Sequence, residues 1–330
     1  MKKFFVAIFA IAAATACSNN DIISINNQKI GFDNPFVQNS TRATDTTYST
    51  TNTPASFQVF GTVQGKVDGQ PGTVLNIFNN VTVTKEQGSN TIGNTGTWWY
   101  NEDYAQYWVV GAAYNFAAVV DATISAPDTN NGMPVTLTTV TDEKSNVKDL
   151  LYAEAAVAEA AANQGVVGFA FNHLLSKVKF TVTSTATGNY KHNVKAISVK
   201  NYTKGTFTLD NAITPGTIDA GTWVGNGEQT AISFGDITGV SATNGTAGLT
   251  CEYEKLLIPT TASFDVAFTV ELYNGDNLVN SETKTVTIDD TPLVKGNAYN
   301  FTIACSVGAP ITFTFNSCEG WGDDNNVQVQ

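Results

Sequence analysis

From residue 57 onward the chain alternates short apolar runs with Gly- and Asn-rich breaks. Phe57-Gln58-Val59-Phe60-Gly61-Thr62-Val63 alternates in part, Val81-Thr82-Val83-Thr84 alternates cleanly, and Tyr114-Asn115-Phe116-Ala117-Ala118-Val119-Val120 reads as a buried strand. Clusters of Gly and Asn at 69–72, 88–96 and 128–132 punctuate these runs. Strand-like runs resume at 166–171, 178–183, 194–199, 206–209, 252–258, 264–273, 283–288, 299–305 and 311–315. Between two of them, Tyr273-Asn274-Gly275-Asp276 carries the Asn-Gly pair that favours a tight hairpin. So many short strands predict an all-β fold of β-sandwich type. A boundary near residue 174 divides them into two sets of sandwich size, 43–174 and 175–330, although no exact internal repeat is visible. One stretch departs from the strand pattern. Residues 147–163 are Ala-rich, contain Glu154 and Glu159 and end on Asn163-Gln164-Gly165, which predicts a short helical insertion at the surface.

The N-terminal region has a different pattern. Lys2 and Lys3 precede an apolar run from Phe4 to Ala14 that is shorter than the roughly 20 residues of a membrane-spanning helix, which is the layout of a signal peptide. The run ends in Ala14-Thr15-Ala16-Cys17, followed by polar Ser18-Asn19-Asn20. Small residues before a cysteine make a bacterial lipobox, with Cys17 as the lipidated (palmitate-bearing) residue; an ordinary signal peptide with an incidental cysteine is the alternative. Residues 18–56 are polar and Thr/Asn-rich, with Ile23, Ile25, Ile30, Phe32 and Phe36 at mostly even spacings. They read as one extended edge segment followed by a flexible stretch.

Composition narrows the function. Only 14% of residues are charged, and the formal net charge of -12 is spread thinly, which repels nucleic acid. Beyond Cys17, Cys251, Cys305 and Cys318 imply no disulfide framework: Cys305 and Cys318 are a candidate pair, while Cys251 and Cys305 lie in apolar strand-like sequence where a thiol packs as a small hydrophobe.

Catalytic chemistry is hard to find. His173 and His192 have no second ligand at metal-binding spacing, and no Gly-x-Ser-x-Gly elbow accompanies them. The acid pairs Asp142-Glu143, Asp289-Asp290 and Asp323-Asp324 sit in turn-like sequence. Asp128-Thr129-Asn130-Asn131-Gly132 lacks the spacing and closing Glu of a calcium loop. We expect no enzyme, no cofactor and no metal. The aromatics from Trp98 to Trp108 have two readings, a sandwich core or a sugar-stacking platform in which Trp99 and Trp108 are the glycan contacts.

A sharper signal is Arg42, the only arginine in the chain, in the polar stretch Thr41-Arg42-Ala43. Loops flanked by small polar residues are readily nicked, so an arginine-specific protease has a single accessible site; a chance survivor of an arginine-poor composition is the alternative.

Taken in order, the Cys17 lipobox, Thr41-Arg42-Ala43, Trp99-Tyr100, Tyr107-Trp108, Tyr114-Asn115-Phe116, Asp149-Leu150-Leu151-Tyr152-Ala153, the run Phe169-Ala170-Phe171-Asn172-His173-Leu174-Leu175-Ser176-Lys177-Val178-Lys179-Phe180, Lys295-Gly296-Asn297-Ala298-Tyr299-Asn300-Phe301 and Gly320-Trp321 resemble the fimbrillin family of Bacteroides-type bacteria, whose type V pilins are made as lipoproteins. The resemblance implies two tandem transthyretin-like β-sandwich domains. It also implies export to the outer membrane as a lipoprotein, then cleavage between Arg42 and Ala43, which removes residues 18–42 as a propeptide strand. Ile23, Ile25, Ile30 and Phe32 would be the residues displaced, and a strand from another subunit would take their place in a surface fimbrium. The implied donor is C-terminal, with Ile311, Phe313, Phe315, Trp321, Val327 and Val329 as its apolar positions; residues 311–315 read equally well as the last strand of their own domain. The implied partners are other fimbrial subunits, an arginine-specific protease, the outer membrane through the lipid, and an adhesion ligand on a host or bacterial surface.

Overall fold

The computed structural model describes residues 25–33, 36–37, 54–86, 91–93, 98–124, 136–140, 149–209, 221–244, 248–251, 254–261, 263–289, 292–308, 310–318 and 327–328. The strands begin with β1 (Ile25–Lys29), β2 (Phe36–Val37), β3 (Ser56–Val67), β4 (Gln70–Thr84), β5 (Thr91–Gly93), β6 (Trp99–Asn101), β7 (Tyr107–Val109) and β8 (Ala113–Val120). They continue with β9 (Thr123–Ile124), β10 (Thr136–Val140), β11 (Leu151–Val157), β12 (Ala170–His173), β13 (Ser176–Ser184), β14 (Tyr190–Tyr202), β15 (Lys204–Thr208) and β16 (Thr222–Gly225). The last are β17 (Gln229–Val240), β18 (Leu249–Thr250), β19 (Lys255–Leu257), β20 (Phe264–Asn274), β21 (Asn277–Ile288), β22 (Ala298–Cys305), β23 (Thr312–Cys318) and β24 (Val327–Gln328).

The largest sheet runs β2-β12-β11-β8-β3-β4-β6-β5. Its inward side chains, with Ile30, Phe32 and Trp108, form a first core rich in aromatic rings. Two further sheets, β18-β13-β22-β23-β24 with β19 paired to β13, and β17-β14-β20-β21, enclose a second core of Val178, Phe180, Phe234, Phe268, Phe301 and their neighbours. A small sheet β16-β15-β10-β9 joins strands from both parts of the chain, with Leu137 opposite Phe207. A third apolar cluster lies beside it, drawing Phe60, Ala117, Val119 and Tyr152 together with Leu174, Leu175, Phe207, Leu256 and Ile258. β8 shows why such a strand is apolar throughout. Phe116, Ala118 and Val120 enter the first core, while Ala117 and Val119, on the opposite face, enter the third cluster.

The all-β expectation holds; the helical insertion does not. Residues 151–157 are strand β11, laddered to β8 from Leu151↔Val120 to Val157↔Tyr114 and to β12 on its other side. Alanine favours a helix when surface exposure decides, but here the ladder and burial of Leu151, Tyr152 and Ala153 override propensity. The hairpin expected at Tyr273-Asn274-Gly275-Asp276 is present between β20 and β21, with Gly275 at φ +60° as a two-residue turn requires.

The suggested Cys305–Cys318 pair is also overturned. Cys318 sits opposite Ala298, at one end of β22, and Cys305 ends that strand, so a bond would have to bridge a seven-residue offset far longer than a disulfide allows. Cys305 is buried in the second core as a thiol, its pKa pushed up to about 12 by burial, and Cys251 is likewise a buried thiol.

His192 gives the second core a pH signature. It is 3% exposed, its Nδ1 lies 2.8 Å from Ser184 Oγ, and burial holds its pKa below the usual imidazole value. An unfolded histidine titrates near about 6.5, so as pH falls through that value the unfolded chain binds a proton that the folded chain refuses. The stabilising effect of the neutral ring is therefore complete above about pH 7 and declines toward the lower folded pKa. The difference in melting temperature between wild type and His192→Gln is expected to be greatest at about pH 7.5 and to shrink toward about pH 5. A difference independent of pH would show that the ring does not titrate with unfolding.

Candidate functional site

The feature that organises the first core is the way the N-terminal segment is laid into it. β1 pairs antiparallel with β7, with Ile25 opposite Val109 and Lys29 opposite Tyr107. The chain then leaves β7: Ile30 N donates to Gln106 O at 2.8 Å, and Tyr100 Oη donates to Ile30 O at 2.7 Å. Next it runs parallel to the segment before β12, where Val167 N donates to Gly31 O at 2.8 Å and Asp33 N to Val167 O at 3.0 Å. Beyond Asp33, β2 continues parallel to β12, with Phe36 opposite Ala170 and Val37 opposite Phe171. One short segment thus closes two strand edges at once.

Its side chains fill the gap between those edges. Ile30 and Phe32 are 0% and 1% exposed. The Phe32 ring meets Phe57, Phe78, Tyr100 and Phe116 edge-on at 5.5 to 6.4 Å and stacks on Phe169 at 5.9 Å. Gly61 makes room for this cage, since a Cβ there would lie 2.9 Å from both the Phe78 and Phe116 rings. At the rim, Lys29 Nζ lies 2.8 Å from Glu102 Oε1, a half-exposed ion pair worth at most about 1 kcal/mol. Tyr100 has its pKa raised by burial and remains a neutral donor to Ile30 O.

The wall that receives β1 is held from behind. Tyr114 Oη accepts from Val109 N at 2.7 Å and donates to Tyr107 O at 3.4 Å. Along residues 106–109 the backbone groups thus face in opposite directions, those of Tyr107 and Val109 toward Tyr114 and that of Gln106, just before β7, toward Ile30.

Among the residues singled out in the sequence, Ile30 and Phe32 meet in this groove, and Ile25 joins it through its backbone. Trp108 is fully buried against Tyr114 and Phe116 at 4.7 and 6.0 Å, which removes it as a glycan contact; Trp99 is half-buried. Residues 312–318 form β23, laddered along β22 in a different sheet, and Val327 lies in β24 beside it. Ile311, just before β23, packs against the second core. The backbones of Phe313 and Phe315 are in that ladder, opposite Ile303 and Phe301. Cys17, Ile23, Arg42, Ala43, Trp321 and Val329 lie outside the described residues. His173 is buried with its Nδ1 3.0 Å from the Asp149 carboxylate, a structural pair between β12 and the start of β11.

The sequence reading missed the cage and the tyrosine clamp. A signal for the clamp was present. Val109-Val110-Gly111-Ala112-Ala113-Tyr114-Asn115-Phe116 and Val294-Lys295-Gly296-Asn297-Ala298-Tyr299-Asn300-Phe301 differ only at Val110/Lys295 and Ala112/Asn297. The two copies share their geometry. Tyr299 Oη accepts from Val294 N at 2.7 Å and donates to Pro292 O at 2.9 Å, and both turns carry a glycine at positive φ, Gly111 at +79° and Gly296 at +72°. These are tyrosine corners, in which a phenol hydroxyl ties the start of a core strand to the backbone just upstream.

The fold and groove define a β-sandwich protein whose first core is completed by an N-terminal strand. The sequence matches the fimbrillin-like family over residues 41–317, and the chain belongs to that family. Its role is accordingly a fimbrial one at the cell surface, that of a structural protein and not an enzyme. Among solved structures, a fimbrial protein from Bacteroides vulgatus is similar at 17% identity and a TM-score of 0.59, over 89% of this chain and all 100% of that one. A candidate cell adhesion protein from Bacteroides uniformis matches at 19% identity over 81% of this chain and 91% of its own, with a TM-score of 0.46. A fimbrial assembly protein from Parabacteroides distasonis matches at 14% identity over 79% and 88%, with a TM-score of 0.38. No curated protein matches the sequence.

Proposed function

We propose that this protein is a stalk or tip subunit of a surface fimbrium that polymerises by exchanging its N-terminal strand for a strand of another subunit. The observation that carries this reading is the placement of residues 25–33, which close two strand edges and put Phe32 at the centre of the first core, upstream of the only arginine. Cleavage between Arg42 and Ala43 cuts this segment from the rest of the chain. Its departure leaves Gln106 O, Val167 N and Val167 O without their present partners and opens the cage around Phe32. Unpaired edges and vacated apolar space favour β-augmentation by an incoming alternating strand.

In this scheme Cys17 carries the lipid that delivers the precursor to the outer membrane, and the same cut at Arg42 releases the subunit from it. The donor is the C-terminal region, which must first give up the β22–β23 and β23–β24 pairings it makes here. The buried position of Trp108 weighs against the alternative of a monomeric glycan-binding lipoprotein.

An arginine-specific protease is expected to cut the folded precursor once and to yield heat-labile, SDS-resistant ladders on electrophoresis. Arg42→Ala is expected to give neither the cut nor the ladders. Ladders from the uncut Arg42→Ala protein would sink the mechanism.

A further inference from the structure

The paired tyrosine corners differ in what lies on the outer side of the strand they hold. In the second copy, Leu293 N and O are bonded to Thr260 O and N, both at 3.0 Å, so the outer side is filled by the middle of the same chain. Trp108 occupies the position equivalent to Leu293 in the aligned copies. There, among the described residues, the ladder partner of β7 is β1 and no other strand. One corner therefore holds a strand whose neighbour lies downstream of Arg42, and the other holds a strand whose neighbour is the segment upstream of it.

We propose that Tyr114 is the positioning residue of the receiving groove: its hydroxyl keeps the β7 backbone in a strand-accepting path after residues 25–33 have left, so that a strand of another subunit can pair there. This rests on the strand-exchange reading above. With β1 gone, β7 is held by its inner-side bonds to Tyr114 and by the packing of Trp108 on Tyr114 and Phe116. The inner-side bonds use the Val109 N–H and Tyr107 carbonyl and leave the Gln106 side open to a guest. A receiving edge that is already straight binds a strand without first being ordered, and that ordering cost is what the hydroxyl removes. Tyr299 supplies the matched control, since the same bond holds a strand whose neighbour, Thr260, lies downstream of Arg42.

The test compares Tyr114→Phe with Tyr299→Phe, each made in the full chain and then cut with an arginine-specific protease. The probe is a fluorescently labelled synthetic peptide of residues 21–37, its uptake followed by anisotropy. Hydrogen exchange of the Val109 and Val294 amides is measured in the same cut proteins. Tyr114→Phe is expected to bind the peptide at least about tenfold more weakly than wild type and to lose protection at Val109, whose amide donates to that hydroxyl. Tyr299→Phe is expected to lose protection at Val294 and to bind the peptide within about twofold of wild type. Intact Tyr114→Phe, with residues 25–33 still in place, is expected to fold, and circular dichroism checks this. Peptide uptake by Tyr114→Phe within about twofold of wild type overturns the proposal, as does equal loss in both variants. If cut wild type takes up no strand peptide, strand exchange itself fails; the Val109 amide then decides the clamp alone, and protection retained in Tyr114→Phe overturns it.

Discussion

Phe32→Ala is expected to destabilise the intact protein by about 3–5 kcal/mol, the cost of truncating a fully buried phenylalanine where the surroundings cannot collapse. Five aromatic rings surround Phe32, and those rings pack on one another as well, Phe78 on Tyr100 at 5.6 Å and Phe57 on Phe169 at 5.7 Å. Rings braced in this way cannot slide into the vacated volume, so the cavity persists. The loss is a large fraction of the total stability of an ordinary domain, and a lower urea midpoint with an unchanged slope would register it. The same substitution has a second, kinetic consequence. Once the chain is cut at Arg42, the N-terminal fragment is held by noncovalent contacts alone, and a fragment carrying Phe32→Ala is expected to dissociate roughly 100-fold faster than the wild-type fragment. Stopped-flow dilution of a labelled fragment measures this. A midpoint shift worth less than about 1 kcal/mol would show that residues 25–33 are an ornament on a core that is complete without them.

Parts of this arrangement were legible in the sequence. The even spacing of Ile30 and Phe32 in otherwise polar sequence reads as a strand with one buried face, and both are in the core. The core reading of the Trp98 to Trp108 aromatics also fits, with Trp98, Tyr100 and Trp108 buried and Tyr104 and Tyr107 exposed. The Ala-rich stretch misled because propensity is a local quantity. The strand character of Leu151 to Val157 comes from β8 and β12, which flank it in space and are distant in sequence. The tyrosine corner was visible as a near-repeat, yet its meaning depends on which backbone groups the hydroxyl reaches, and no periodicity reports that. Least legible was the third apolar cluster. Leu174 and Leu175 stand where the pattern placed a domain boundary, and both are fully buried among residues from strands on either side of them.

That cluster leads to the second large effect. Phe207→Ala is expected to cost about 3–5 kcal/mol and to split a single unfolding transition into two. Phe207 is fully buried on β15, pairs in register with Leu137 of β10, packs on Trp223 at 5.4 Å and lies under Lys295 Nζ at 5.5 Å. The backbone at Gly221 approaches so closely that a Cβ there would collide with the Phe207 ring. The ring is therefore a common contact for the small mixed sheet, for the turn of the second tyrosine corner and for the cluster that includes Phe60 and Tyr152 of the first core's sheet. Additional ties cross the same region: Trp223 Nε1 donates to Leu174 O at 2.8 Å, and Leu174 N donates to Leu150 O at 3.0 Å. Removing the ring weakens what the two large cores share while leaving the interior of each intact, so each can then melt at its own temperature. Differential scanning calorimetry reads the outcome directly. Two resolved transitions in Phe207→Ala, against one in wild type, mark the cluster as the coupling element. One transition at a lower temperature in the variant would place the coupling in the backbone ladders of β10 and β15.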